Sequence, residues 1–78
     1  MSDFVKEKLM VTNYEKLGST VRKLRKEKGL SQETFADAIG RDARTVVAIE
    51  TGKRNPTLKT LNKIAKVLGV TLSDLFKL

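Results

Sequence analysis

Residues 31–52 read SQETFADAIGRDARTVVAIETG. Ser31 is a good N-cap, because its side-chain oxygen can accept from a first-turn amide. Behind it Phe35, Ala36 and Ile39 recur at helical spacing, and Gly40 stops the run. Asp42 is a second cap, followed by an inward pair, Val46 and Ile49, and then by Gly52 as the stop. Ala36 is small enough for one helix to cross close over the other, and Gly40 permits a positive φ between them. On the second helix Arg44, Val47, Ala48 and Thr51 lie at i, i+3, i+4 and i+7, facing away from Val46 and Ile49. Val47 and Ala48 therefore form an oily outer face that the core does not need.

Working outward, the rest of the chain is also helical punctuation. Leu17, Val21, Leu24 and Lys28 follow i, i+4, i+7 and i+11, and predict a first helix from Tyr14 or Gly18 to Lys28, ended by Gly29. Pro56 follows Asn55 in a loop. Thr57 then caps a fourth helix with Leu58, Leu61, Ile64, Ala65 and Leu68 on one face and Gly69 as its stop. Thr71-Leu72-Ser73-Asp74 has the form of a capping box opening a short fifth helix through Leu75 and Phe76. Leu9 to Thr12 is either a short β-prone piece or the end of a helix begun at Ser2. The expected fold is all-α: a compact five-helix domain over residues 14–78, preceded by an N-terminal arm or extra helix at 1–13.

Composition bounds the function. Seventy-eight residues make one domain at most, and there is no cysteine or histidine. That removes disulfides, thiolate or imidazole metal sites, and a titrating base near neutrality. No paired carboxylates sit at a plausible site and there is little volume for a pocket, so the reading is a non-enzyme with no metal, cofactor or small-molecule ligand. No apolar run is long enough for a membrane span, and Asp3, Lys6, Glu7 and Lys8 argue against a signal peptide, so a cytoplasmic location is expected. The formal charge is +7, from 16 Lys and Arg against 9 Asp and Glu, which favours a polyanionic partner.

Two short helices joined by a glycine-containing turn have the layout of a helix-turn-helix. LRKEKGLSQETFADAIG and IETGKRNPTLKTLNKIAKVLGVTLSDLF resemble the phage repressor and Cro family, also called the XRE family, over about three quarters of the chain. The small controller proteins of restriction-modification systems carry similar RNPTL segments. The resemblance implies a repressor-like helical domain and a sequence-specific transcriptional regulator of double-stranded DNA that works as a homodimer. It implies that Gln32 meets a phosphate and braces the second helix, and that Lys53, Arg54 and Asn55 lie over the DNA backbone. It also implies an inward ion pair between Arg25 and Glu50, which accounts for an acid on a helix meant for DNA.

The residues themselves nominate the base readers. Arg44 suits a bidentate pair with guanine, while Val47 and Ala48 suit apolar contact with a thymine methyl. Ala43 and Thr45 flank that face at the end that enters the groove first. The family commonly has a hydrophobic residue where Arg41 stands and polar ones at Val47 and Ala48; Arg41 is read as a further phosphate contact. A dimer would place two such helices about one helical turn apart on a pseudo-palindromic operator. Val70, Leu72, Leu75, Phe76 and Leu78, or Phe4, Val5, Leu9 and Val11, could supply its interface or complete the monomer core. The alternative reading is a protein-binding adaptor or antitoxin-like module whose Val47 face docks a partner helix.

Overall fold

The computed structural model describes the backbone of residues 3–76 and the side chains of residues 14–76. The helices are α1 (Asp3–Glu27), α2 (Gln32–Ala38), α3 (Ala43–Glu50), α4 (Leu58–Leu68) and α5 (Leu72–Leu75), and no strand occurs among the described residues. The all-α, five-helix architecture is as expected. The first helix is not: it starts at Asp3 and passes through Tyr14 and Gly18 without a break. Leu9 to Thr12 thus lies inside a helix. An isolated extended piece would leave its amides and carbonyls without a partner strand, whereas a helix satisfies them internally.

Side chains set where the later helices begin. Ser31 Oγ accepts from Thr34 N at 3.0 Å, Asp42 Oδ1 from Thr45 N at 2.9 Å and Thr57 Oγ1 from Thr60 N at 3.2 Å. The capping box is reciprocal: Thr71 Oγ1 accepts from Asp74 N at 3.1 Å, and Asp74 Oδ2 from Thr71 N at 3.0 Å. Each cap satisfies an otherwise orphaned amide and contributes about 0.5–2 kcal/mol. α4 stops at Gly69, whose φ of 69° puts it in the left-handed region.

The core draws on all five helices. Leu17 and Val21 of α1, Phe35 and Ala36 of α2, Val46 and Ile49 of α3, and Leu61, Ile64, Ala65 and Leu68 of α4 pack with Ile39 and Leu75. One expectation needs correction, and one open alternative is decided. Leu58 is 64% exposed rather than inward. It directly follows the Thr57 cap in the first turn of α4, where facing the right way does not by itself supply a core neighbour. Leu75, counted among possible dimer residues, is fully buried, with Val70 and Leu72 packed against the same core. Phe76 alone of that set is half exposed among the described residues; the side chains of Phe4, Val5, Leu9, Val11 and Leu78 lie outside them. Among the described residues no helix is long and apolar enough to cross a membrane.

Candidate nucleic-acid interface

α3 is held by its inner face and presented by its outer one. Val46 and Ile49 are buried, while Arg44 is exposed, Val47 is 42% exposed, and Ala43 and Ala48 are half-buried. The last residue, Glu50, turns inward. Arg25 Nε donates to Glu50 Oε2 at 2.6 Å and Arg25 Nη2 to Oε1 at 3.1 Å, with both side chains buried. Arg25 Nη1 also donates to the Leu30 carbonyl at 2.7 Å. Gln32 Nε2 reaches Glu50 Oε1 at 3.3 Å, tying the start of α2 to the end of α3. The acid on α3 is therefore neutralised within the fold and adds no free negative charge to the outer face.

The N-terminal end of α3 is organised by Asp42. Besides capping, its Oδ1 accepts from Thr45 Oγ1 at 2.7 Å. These two bonds from Thr45, the hydroxyl first and then the amide, hold the Asp42 carboxyl below its ordinary value of 3.8. Because a hydroxyl has one proton, Thr45 has spent its donor and keeps a methyl group and an acceptor lone pair. Arg54 Nη1 uses that acceptor at 3.3 Å. At the other end Thr51 Oγ1 donates back to the Val47 carbonyl at 2.8 Å.

The structure gathers some of the nominated residues and separates others. Arg41, Thr45, Arg54 and Asn55 line one shallow cavity of about 100 Å³, closed by Ile49, Pro56, Thr57 and Thr60. Arg41 Nη2 donates to Thr60 Oγ1 at 3.1 Å, clasping the turn between α2 and α3 to α4. Asn55 Nδ2 donates to the Tyr14 hydroxyl at 3.4 Å, joining the loop after α3 to α1. Arg44 and Val47 stand outside this cavity on the exposed face of α3, and Lys53 is exposed in the loop beyond it. The outer surface thus carries cations around an apolar strip, at the end of a helix fixed to the domain from below.

The helix-turn-helix family HTH_3 matches residues 21–75. The chain belongs to that family. It is accordingly a transcriptional regulator of the helix-turn-helix type, in a family that points to DNA-binding regulation and not to catalysis. It is 52% identical over 62 residues to the control protein C.MunI of a Mycoplasma species, covering 78% of this chain and 84% of the relative. It is 42% identical to the cryptic phage CTXphi transcriptional repressor RstR of Vibrio cholerae, spanning 73% of this chain and 51% of that repressor. Among solved structures, the restriction-modification controller protein C.AhdI of Aeromonas hydrophila superposes with a TM-score of 0.80 at 40% identity, over 83% of this chain and 98% of that one.

Three positions in this helix-turn-helix regulator carry more than the sequence suggested. The Asp42–Thr45 spacing signalled a cap but not the second, hydroxyl bond that commits Thr45. Nothing in the order of residues linked Arg41 to Thr60, 19 positions away, or Asn55 to Tyr14, 41 positions away.

Proposed function

We propose that this protein is a homodimeric, sequence-specific regulator of the controller type, binding a pseudo-palindromic operator with α3 in the major groove. The observation that carries the reading is the division of α3: Val46, Ile49 and Glu50 are committed to the fold, and Arg44, Val47 and Ala48 are left outward. Arg44 pairs with guanine O6 and N7, and Val47 and Ala48 meet thymine methyl groups. Ala43 lets the helix end approach the bases closely, and Thr45 offers its methyl group. Gln32, Arg41, Lys53, Arg54 and Asn55 contact backbone phosphates, which set affinity and register without reading sequence.

The similarity to C.MunI and C.AhdI supports control of a restriction-modification system as the setting. The deciding experiment is selection of bound duplexes from a random pool, followed by competition with unrelated DNA at moderate salt. A symmetric pair of half-sites, bound far more tightly than the competitor, is the expected result. Equal affinity for every sequence refutes it. Capture of a protein ligand that is lost on Val47→Lys, with only salt-suppressed DNA binding, would favour the adaptor reading instead.

A further inference from the structure

Gly18 lies in the middle of α1, in ordinary helical conformation, where glycine is less favourable than alanine by about 1 kcal/mol. Its reason is space. A Cβ at Gly18 would collide with the Ile49 carbonyl oxygen and stand 2.6 Å from the Glu50 oxygen and 2.8 Å from the Glu50 carbonyl carbon. These are backbone atoms at the C-terminal end of α3, so no side chain can swing aside. One turn away the same surface recurs: a Cβ at Gly52 would lie 2.9 Å from Glu15 Cγ and 3.0 Å from Glu15 Cα. Residues 15 and 18 share one face of α1, and that face receives the end of α3 and the Gly52 turn after it at close range.

We propose that Gly18 is a specificity-determining positioning residue: by admitting the end of α3 against the backbone of α1, it sets the depth and tilt of the recognition helix. The inference rests on the reading of α3 as the helix that enters the groove. The opposite end of α3 is tied separately to α4, by the Arg41–Thr60 clasp just before the helix begins. An alanine at 18 must therefore lever the helix rather than translate it. Restoring ordinary contact at Ile49 requires a shift of roughly 1 Å, which over an eight-residue helix about 12 Å long is a tilt of about 5°. The tilt carries Val47 and Ala48 about 0.5 Å from their place and swings the Arg44 side chain through the same angle near the pivot, whereas base-edge hydrogen bonds need donor–acceptor distances of about 2.7–3.2 Å and weaken steeply off-axis. Phosphate contacts from long Lys and Arg side chains follow such a tilt easily. Discrimination falls while sequence-independent binding persists.

The test uses the full chain as wild type, Gly18→Ala, Gly52→Asn and Val21→Ala. For each, the affinity for the selected operator and for an unrelated duplex is measured at one salt concentration, below the melting temperature. Gly18→Ala is expected to lose about tenfold or more of the operator-to-unrelated ratio, with the affinity for unrelated DNA unchanged. Gly52→Asn keeps a residue that tolerates the left-handed region and displaces the same seam less, so it loses a smaller factor. Val21→Ala removes a buried methyl pair one turn from Gly18 without adding an atom at the seam, so it melts lower but keeps the wild-type ratio within about twofold. A folded Gly18→Ala with the wild-type ratio overturns the proposal; if that variant does not fold, Gly52→Asn with the wild-type ratio does so. An equal loss in Val21→Ala also overturns it, since the effect would then be general instability. A wild-type chain that does not discriminate refutes the base-reading function itself, before any variant is compared.

Discussion

The Arg25–Glu50 pair offers the sharpest test of how α3 is held. Both side chains are almost wholly out of water, at 7% and 2% exposure, and two hydrogen bonds join them. Arg25→Met leaves the Glu50 carboxylate buried with one long bond from Gln32. Glu50→Gln leaves the guanidinium with a neutral partner and the Leu30 carbonyl. Stranding one charge of a buried pair costs about 3–5 kcal/mol. A chain of this length has about 4–12 kcal/mol of total stability, so either loss is a large fraction of it. For a domain of this size each kcal/mol lowers the melting temperature by about 4–8 °C, so each single variant should melt at least about 12 °C lower. The double variant Arg25→Met/Glu50→Leu removes both charges and fills the space with apolar atoms, which recovers much of the loss. Thermal and urea melts followed by far-UV circular dichroism give the three free energies and their coupling. Single variants within about 1 kcal/mol of wild type, or a double variant whose loss equals the sum of the singles, would refute the claim that these groups stabilise one another.

Other outcomes follow from the same geometry. Arg44→Ala should cost about 1–3 kcal/mol of discrimination at one base pair of each half-site, read by competition among single-position operator variants. Lys53→Gln and Arg54→Gln should weaken binding to all sequences alike, and each should reduce the steepness of the log affinity–log salt plot by about 0.9. Asp42→Ala should lower stability in denaturant melts at neutral pH, because the Thr45 amide loses its acceptor. Since the folded state lowers the Asp42 pKa, its contribution is complete above the ordinary value of 3.8 and fades as pH falls through the lower folded value. Melts repeated in acid should therefore show the gap between Asp42→Ala and wild type narrowing, and a constant gap would argue against the carboxylate as the cap.

Much of this fold is written locally. Caps at Ser31, Asp42, Thr57 and Thr71, stops at Gly40 and Gly69, and the 3.6-residue stripes each act within a few residues, so they can be read in order along the chain. The division of α3 into Val46 and Ile49 within and Arg44, Val47 and Ala48 without was legible for the same reason: helical phase alone decides it. Leu58 escaped because phase says which way a residue faces, while burial also requires a neighbour at that turn. The N-terminal extent of α1 escaped because Gly18 reads locally as a break, while the helix runs through it.

Tertiary structure decided everything that depends on two distant backbones meeting. It brings Arg41 onto Thr60, Asn55 onto Tyr14 and Arg54 onto the Thr45 hydroxyl. It also lays the end of α3 against Gly18 and Glu15. The sequence by itself determined which helix faces outward and which side chains it carries. Its seating against α1 comes only from the packed structure, because nothing local to Gly18 shows that the main chain of Ile49 and Glu50 will lie against it.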